Sequence, residues 1–405
     1  MSANGGVRSP LYGAGIMLEL IRDGGAVTRA DLARRTGLSR STIAHRLDAL
    51  IAERLVHERG ARVSTGGRPP AALVFNAGAG VLLVADLDAT SARLAVTDLA
   101  GEIVAEDARD LDIADGPERV LEWVHARFAA LLHDAGHEPA DVRGIGVGIP
   151  GPVAFSTGQP VNPPLMPGWD GFAIPRWFAE RYAAPVLVDN DVNMMAIGEQ
   201  RMYWGDTEHL LLVKVDTGIG CGLVAEREIR RGARGAAGDI GHVRIAGHDD
   251  VVCSCGNTGC LEAVAGGRAL AGRLAAAGRR ASGSRDVVRL VRGGDALAAR
   301  LVRDAGRRLG EVLASCVNLF NPTAVVIGGA LAEAHEPLLA GVREVTIRRS
   351  LPLATRNLRI VPSRLGARAG VVGAALLVSD HVLAPAAVEH ALDQAARDGA
   401  GRPGG

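Results

Sequence analysis

The stretch around which the chain is organised runs from Asp239 to Glu262 and reads Asp-Ile-Gly-His-Val-Arg-Ile-Ala-Gly-His-Asp-Asp-Val-Val-Cys-Ser-Cys-Gly-Asn-Thr-Gly-Cys-Leu-Glu. Three of the five cysteines, Cys253, Cys255 and Cys260, fall within eight positions, and His242 stands eleven positions before the first. One histidine and three cysteines form a complete tetrahedral set for Zn²⁺, and four protein ligands are typical of a structural site. The sequence therefore predicts a zinc loop over residues 242–260.

Disulfide bonding is the alternative for these cysteines. A Cys-x-Cys pair is poorly placed to bond to itself, three clustered thiols leave one over, and nothing in the sequence indicates an oxidising compartment. We therefore expect zinc as a structural cofactor. Because the acidic residues Asp239 and Glu262 flank the ligands, we also expect the metal loop to shape a polar pocket.

The composition predicts packed α/β layers. The chain has 405 residues, enough for two or three domains, and 48% of them are apolar but only 3% aromatic. No apolar run approaches the ~18–20 residues that span a bilayer, and the N-terminus lacks the apolar segment of a signal peptide. We expect a cytoplasmic protein with no membrane partner.

Charge is distributed unevenly along the chain, although the formal net charge is +0. Residues 1–75 carry 11 arginines against six acidic residues, and the rest of the chain is correspondingly acidic. Lys214 is the only lysine. A basic head on an acidic body indicates a nucleic-acid-binding module attached to something else.

The head, residues 1–76, has the pattern of a winged helix-turn-helix domain. A first helix ends at Asp23-Gly24-Gly25, Thr28 can cap a second, and Gly37 lies in the short turn before a third. Apolar residues of the third helix recur at Ile43, Leu47 and Leu50. Two predicted strands, 54–58 and 72–75, enclose an arginine-bearing loop that resembles a wing.

Double-stranded operator DNA is the partner that this pattern predicts. The polar side of the third helix can reach phosphates or base edges in a major groove, and the wing can enter a minor groove. The candidate DNA-binding residues are Ser39, Arg40, Ser41, Thr42, His45, Arg46, Arg62 and Arg68. A packing module with a solvated basic face is the alternative.

The body, residues 80–380, alternates short apolar strands with helical segments in two similar halves. Each half opens with a strand that carries an aspartate near a turn, at Asp86 and at Asp216. This repetition predicts an internal duplication with a cleft between two lobes. Residues 381–405 are expected to form a C-terminal helix and a disordered tail.

The body resembles the ROK family, which groups sugar-responsive repressors with sugar kinases on a duplicated actin-like, hexokinase-like α/β fold. The head resembles the winged helix of the repressor branch. Any one glycine-rich motif is weak evidence, but all of them in this order are strong evidence. The motifs that carry the resemblance are Gly146-Val-Gly-Ile-Pro-Gly-Pro152, Asn162-Pro163 with Gly168-Trp169, Asn190-Asp-Val-Asn193, Asp216-Thr-Gly-Ile-Gly220, Gly235-Ala-Ala-Gly-Asp-Ile-Gly-His242 and the cysteine loop.

The resemblance implies a sugar site in the cleft. Its expected sugar-binding residues are Asn162, Asn190, Asp191, Asp239, His242 and Glu262. Asp191 matches the general base of the kinases, and His242 is expected to ligate zinc and orient the sugar. Asp239 stands where the family usually has Glu, so its carboxylate is one methylene shorter. A turn at the end of a strand is the alternative interpretation of Asn190-Asp191.

The resemblance also implies a phosphate site, which the sequence predicts to be degenerate. Asp88 replaces a glycine of the first phosphate loop, and it adds bulk and negative charge where phosphates should approach. Two unit charges 4 Å apart repel by about 4 kcal/mol at an effective dielectric of 20. The predicted phosphate-binding residues are Asp86, Asp88, Thr90, Thr217, Gly218, Gly220, Gly328 and Gly329.

We therefore expect a sugar-responsive transcriptional regulator, specifically a repressor, whose body binds a sugar or sugar phosphate and turns over ATP poorly or not at all. A homodimer or homotetramer would present two heads to a two-fold operator. The alternative is an active ATP-dependent, glucokinase-like sugar kinase with a regulatory DNA-binding head. A third interpretation is a DNA-binding scaffold whose body has lost its ligand.

Overall fold

The computed structural model describes residues 13–25, 27–59 and 71–400. The first 12 residues, Ala26, residues 60–70 and residues 401–405 lie outside it, so the predicted wing residues Arg62 and Arg68 are not among the described residues. The head contains three helices and a two-stranded antiparallel sheet: α1 (Ala14–Arg22), α2 (Arg29–Thr36), α3 (Arg40–Ala52), β1 (Val56–Arg59) and β2 (Ala72–Phe75).

Local sequence signals determine where the helices of the head begin and end. The Thr28 side chain accepts a hydrogen bond from the Asp31 amide at the start of α2, and Ser39 accepts one from Thr42 at the start of α3. Gly37, with φ of +69°, ends α2 in the left-handed conformation that glycine adopts at low cost. Because α3 buries the predicted apolar stripe, the helix-turn-helix prediction is confirmed; the buried residues are Ile43, Leu47 and Leu50.

The first half of the body is built on a five-stranded sheet with helices against it. Its elements are β3 (Val81–Leu87), β4 (Ser91–Asp98), β5 (Ile103–Asp110), α4 (Pro117–Asp134), β6 (Val142–Ile149), β7 (Val153–Ala154), β8 (Gln159–Pro160), α5 (Ile174–Ala179), β9 (Val186–Asn190) and α6 (Asp191–Tyr203).

The second half is built on another five-stranded sheet, and the last helices return to the first half. The elements are β10 (Leu210–Val215), β11 (Ile219–Ala225), β12 (Glu228–Ile229), α7 (Leu261–Ala265), α8 (Gly267–Ala276), α9 (Ser284–Arg292), α10 (Ala296–Phe320), β13 (Ala324–Gly328), α11 (Glu336–Arg349), α12 (Pro352–Thr355), β14 (Arg359–Pro362), α13 (Ala369–Val382) and α14 (Pro385–Ala400).

The two sheets have the same topology, which confirms the predicted duplication. The first has the order β5-β4-β3-β6-β9 and the second the order β12-β11-β10-β13-β14. In each sheet the first three strands form an antiparallel meander; the fourth strand then pairs in parallel with the first, and the fifth pairs in parallel with the fourth. Ligands of open α/β sheets bind beyond the carboxyl ends of parallel strands, so this topology places two such edges around one cleft.

Helices α6 and α13 lie between the two sheets. Helix α6 packs on β10 and β11 of the second sheet, and α13 packs on β3 and β6 of the first. Where they cross, the helices touch backbone to backbone: a methyl group on Gly373 would lie 1.7 Å from the Met194 carbonyl oxygen. The lobes therefore meet at a crossing of two helices that permits no side chain at this position.

The head and the C-terminus share one hydrophobic core. Met17 and Leu18 of α1 pack in the same cluster as Val378 of α13 and Val388 of α14. The backbone amide of Gly15 also donates a hydrogen bond to the Glu389 carboxylate, 3.0 Å away. The predicted C-terminal helix is thus present from Pro385, and it is a packing partner of the head.

Within the described residues, no single helix is long and apolar enough to cross a bilayer; only the pair 366–382 and 385–397, bent by 62°, reaches the required length and apolarity together.

Candidate functional site

A pocket between the lobes brings together most of the predicted sugar-binding residues. We call it the acidic pocket and define it by its charged and polar lining residues Asp88, Asn190, Asp191, Asn193, Lys214, Asp239, His242 and Glu262. The glycine- and proline-rich segment after β6 and the loop 235–238 line its remaining walls. Carboxylates and amides that converge in a cleft suit a polyhydroxylated ligand.

Asn190 and Asp191 stand at the junction of β9 and α6. The Asn190 side-chain oxygen accepts a hydrogen bond from the Val192 amide at 2.9 Å and caps α6, while its amide nitrogen donates to the Gly151 carbonyl at 2.9 Å. Asp191 is 2% exposed, and its Oδ1 also accepts from the Val192 amide. The pair therefore both begins the helix and lines the acidic pocket, and α6 starts at Asp191 directly after β9, with no separate turn between them.

Lys214, on β10, forms the centre of the site. Its Nζ lies 2.5 Å from Asp191 Oδ2 and 3.2 Å from Asp88 Oδ1. Burial by itself lowers the pKa of Lys214, but the carboxylates of Asp191 and Asp88 outweigh burial and hold the pKa well above its usual value. Lys214 is therefore a buried ammonium ion held between the expected general base and the residue that replaces the phosphate-loop glycine.

A second cleft lies on the other side of this ion pair. We call it the arginine cleft; it has a volume of about 630 Å³ and is lined by residues that include Asp86, Asp88, Arg93, Lys214, Asp216, Arg285, Arg289, Arg292, Gly328, Gly329 and Glu333. Four of the eight predicted phosphate-binding residues line it, namely Asp86, Asp88, Gly328 and Gly329. Asp88 and Lys214 line both spaces.

The other four predicted phosphate-binding residues do not line the arginine cleft. Gly218 and Gly220 line the acidic pocket, and a methyl group on Gly218 would lie 2.3 Å from a Glu262 carboxylate oxygen. Thr90 is exposed, and neither Thr90 nor Thr217 is among the described residues that line either space. The second glycine motif therefore borders the sugar side of the ion pair.

Two aspartates of the arginine cleft are protonated unusually easily. Burial raises the pKa of Asp86 to about 7, and Asp86 Oδ1 has no hydrogen-bond partner among the described residues. Burial likewise raises the pKa of Asp216 to about 6, although its Oδ2 accepts a hydrogen bond from the Ala330 amide. Burial also raises the pKa of Asp191, with Lys214 offsetting part of the effect.

The predicted metal ligands converge. One donor atom from each of His242, Cys253, Cys255 and Cys260 lies within 4.8 Å of all the others. Zn–S bonds near 2.3 Å and Zn–N bonds near 2.0–2.1 Å in a tetrahedron place two sulfurs about 3.8 Å apart and a sulfur and a nitrogen about 3.6 Å apart. The Cys255–Cys260 sulfurs are 3.8 Å apart and Cys253 Sγ is 3.6 Å from His242 Nδ1. These residues fit a tetrahedral metal ion, and all five cysteines are free.

The predicted metal loop reaches the acidic pocket at His242, which lines it together with Asp239 and Glu262 on either side of the loop. With Nδ1 of His242 turned to the cysteines, Nε2 lies 3.8 Å from Asp239 Oδ1 on the pocket side. Glu262 lies in the first turn of α7, two residues after Cys260, and its carboxylate accepts a hydrogen bond from the Ile219 amide at 3.2 Å. Burial raises the pKa of Glu262.

Asn162 differs from the other predicted sugar residues because it does not line the pocket. Its backbone has a φ of +43°, and its amide donates to Asp170 Oδ1 at 2.7 Å, which holds the side chain on the exposed face of the loop. The neighbouring Trp169 is fully buried and donates from its indole nitrogen to the Ile113 carbonyl, so it packs the loop.

The predicted DNA-reading side chains share the outer side of α3. Ser39, Arg40, Ser41 and His45 are exposed, and Thr42 is half-buried. Arg46 is also half-buried, with one guanidinium nitrogen enclosed, because it lies closer to the side on which the helix packs.

Three site residues were not identified from the sequence. Lys214 belongs to none of the recognised motifs. The one signal in the sequence was that it is the only lysine. Asp189 is 1% exposed and is bound by Arg231 at 2.7 Å, an ion pair that joins β9 to the loop before the metal site. Burial raises the pKa of Asp189, with the Arg231 charge opposing.

Comparisons with known proteins agree with this arrangement. The family model "ROK family" matches residues 83–381, and the model "Winged helix-turn-helix DNA-binding" matches residues 15–56. The chain is 30% identical over 370 residues to a xylose repressor of Bacillus subtilis (strain 168), covering 91% of this chain and 95% of the relative.

The solved structures that resemble this chain include both regulators and kinases, and they differ in how much of the chain they cover. A ROK family transcriptional regulator described as a homologue of the E. coli MLC protein has a TM-score of 0.76 and 27% identity, covering 94% of this chain and 98% of its own. A ROK family glucokinase from Streptomyces griseus, solved with glucose and AMPPNP, has a TM-score of 0.66 and 27% identity but covers only 74% of this chain. With a family match across most of its length and a winged helix in front, this chain belongs to the ROK family.

Proposed function

We propose that this protein is a sugar-responsive transcriptional repressor whose body senses a sugar and no longer phosphorylates it. The observation that carries the proposal is the ion pair between Lys214 and Asp191, in a body fused through one core to a winged helix. The Lys214 ammonium group is bound to the Asp191 oxygen that would accept the proton of a sugar hydroxyl in a kinase. The pocket still has a polar lining suited to sugar hydroxyls.

DNA recognition rests on the exposed side of α3. We propose that Ser39, Arg40, Ser41, Thr42, His45 and Arg46 contact an operator, together with Arg62 and Arg68 of the wing predicted from the sequence. The test measures binding of labelled DNA from upstream of the protein's own gene, in parallel for Arg40→Ala and for Arg300→Ala, which removes an exposed arginine of α10. Arg40→Ala should weaken binding by about 1–3 kcal/mol and Arg300→Ala should not. Equal effects of the two variants would contradict the proposal.

Sugar sensing is proposed for Asn190, Asp191, Asp239, His242 and Glu262. Titration of the protein–DNA complex with a panel of sugars should identify one that changes DNA affinity, since a coupling of 1–3 kcal/mol corresponds to roughly 5- to 150-fold. If sugars bind the pocket and DNA affinity stays constant, the regulatory function is wrong.

The kinase alternative keeps one favourable feature, because Asp86, Asp191 and Asp216 are all retained. Sugar-dependent ATP hydrolysis on the order of 10 per second would support a kinase and contradict our proposal. Asp88→Gly removes the carboxylate from the phosphate loop but leaves Lys214 paired with Asp191, so we expect it to restore no phosphorylation.

We further propose that Zn²⁺ is the ion held by His242, Cys253, Cys255 and Cys260, and that the protein acts in the cytoplasm as a homodimer or homotetramer. Self-association is supported by three leucines that are 68–90% exposed: Leu319 at the end of α10, Leu351 before α12 and Leu353 within α12. Molecular mass in solution should fall when Leu353 is changed to Asp if these side chains form the contact.

A further inference from the structure

The acidic pocket and the arginine cleft are separated by a chain of three charged side chains. Asp191 pairs with Lys214, and Lys214 pairs with Asp88 across 3.2 Å. Asp88 is itself fixed, because its Oδ1 accepts from the Ala89 amide at 2.7 Å and its amide donates to the Ser91 carbonyl at 2.8 Å. Because Lys214 and Asp88 line both spaces, they form the partition between them.

The charges on the two sides of this partition differ. Among the described residues that line the acidic pocket, four are carboxylates, one is a lysine and none is an arginine. The lysine is already committed to two of those carboxylates. The arginines line the opposite side, and each of the four has an acidic partner: Arg93 with Glu106, Arg285 with Asp110, Arg289 with Asp286 and Arg292 with Glu333.

We infer that the Asp88–Lys214–Asp191 partition restricts the effector to an uncharged, unphosphorylated sugar. This inference rests on the proposed function, because it specifies which class of sugar the same pocket accepts. A phosphate ester carries a charge of about −1.5 to −2 at neutral pH. In the acidic pocket that charge would face carboxylates whose one ammonium partner is already shared, and the arginines lie beyond the partition.

Lys214 is a positioning residue in this scheme. It neutralises Asp191 and holds Asp88 across the passage to the arginine cleft. Both carboxylates would otherwise repel each other, since like charges that share a buried site disfavour ionisation.

The test measures dissociation constants by calorimetry for matched pairs of ligands on the full-length protein. The pairs are D-glucose with D-glucose 6-phosphate, and N-acetyl-D-glucosamine with its 6-phosphate; D-xylose is measured alone. We expect the unphosphorylated member of a binding pair to bind about 100-fold or more tightly than its phosphate ester.

Three variants and a control test the role of the partition. Asp88→Asn preserves shape and removes one negative charge, so the ratio of the two dissociation constants should fall about 10-fold. Lys214→Met should raise that ratio, and Lys214→Arg should return it towards the wild-type value. Asp206→Asn, an exposed aspartate outside both spaces, should leave the ratio unchanged.

The outcomes separate this inference from the proposed function. A phosphate ester that binds as tightly as its parent sugar, or a ratio that Asp88→Asn leaves unchanged, would overturn the partition while sugar sensing stands. A pocket that binds none of the five compounds removes the proposed function, and the inference with it.

Discussion

Single residues decide which chemistry the pocket can support. Asp88 replaces a glycine, and Lys214 supplies the one ammonium ion that neutralises it. Neither charged residue would be tolerated as well without the other, because an unpaired buried carboxylate or ammonium is strongly destabilising. The pair lies between the acidic pocket and the arginine cleft and lines both.

Asp86 should make the stability of the protein depend on pH. Its folded pKa of about 7 lies above the model-peptide value of 3.8, so the folded state favours the protonated carboxyl. The contribution of Asp86 to the free energy of unfolding is fully stabilising below about pH 4 and is lost as the pH rises through 7. Asp86→Asn should therefore raise the free energy of unfolding by about 1–3 kcal/mol at pH 8 and by much less at pH 4.

Urea titrations of both proteins at pH 4, 6 and 8 provide the measurement. Asp134→Asn, which changes an aspartate at the exposed end of α4, is the control and should alter stability equally at all three values. A gain from Asp86→Asn that does not grow with pH would show that the Asp86 carboxyl is not the titrating group.

Cys255 should be needed for metal binding. Cys255→Ser removes one of four convergent donors, so zinc content should fall well below about one ion per chain and the free energy of unfolding should drop by more than about 2 kcal/mol. Elemental analysis and denaturant titration check both values. Cys316→Ser, which changes a half-buried thiol of α10 outside the set, should retain the metal. Full zinc in the Cys255 variant would rule out the tetrahedral site.

At the scale of elements, the crossing of α6 and α13 determines how the lobes meet. Helix α6 begins at Asp191, which lines the acidic pocket, and crosses α13 with no side chain at Gly373. The ion pair between Asp189 and Arg231 also links the β9–α6 junction to the second half. Ligand contacts at the start of α6 can thus bias the angle between the lobes.

Gly373→Ala should destabilise the protein because the added methyl group has no space at the crossing. We expect a loss of about 1–3 kcal/mol, which is typical of overpacked cores. The matched control is Gly272→Ala in α8, where the methyl group would have no neighbour within 4 Å. That control should stabilise by up to about 1 kcal/mol, because alanine is the better helix former. Denaturant midpoints of the two variants should therefore move in opposite directions.

At the scale of the whole molecule, α13 and α14 join the sugar-binding body to the head. Helix α13 contacts α6, α14 follows it after a bend, and α14 packs on α1 of the winged helix. A change in lobe angle at α6 can therefore reach the head through packed helices. The common core means that the head is docked on the body and does not hang from a free linker.

Val388→Ala should weaken the coupling between sugar and DNA. Val388 is 2% exposed in the core shared with the head, so its truncation loosens α14 against α1 by about 1–2 kcal/mol. The factor by which saturating sugar changes DNA affinity should shrink towards one, while sugar affinity is retained. Asp393→Ala on the exposed side of α14 is the control. If Val388→Ala keeps the full factor, coupling does not pass through α14.

The sequence by itself determined the winged helix, the duplicated body and the metal ligands. Those features follow from local signals: caps at Thr28 and Ser39, the period of Ile43, Leu47 and Leu50, repeated strand patterns, and cysteines close together in the chain.

Only the tertiary structure decided which residues share a pocket. Lys214 lies 23 residues from Asp191 and 126 from Asp88 in the sequence, and the fold of two sheets brings their charged atoms within 3.2 Å. The same folding places Gly218 and Gly220 on the sugar side of that ion pair and leaves Asn162 outside the pocket. Distances between elements depend on how sheets and helices pack, and no periodicity or spacing along the chain encodes them.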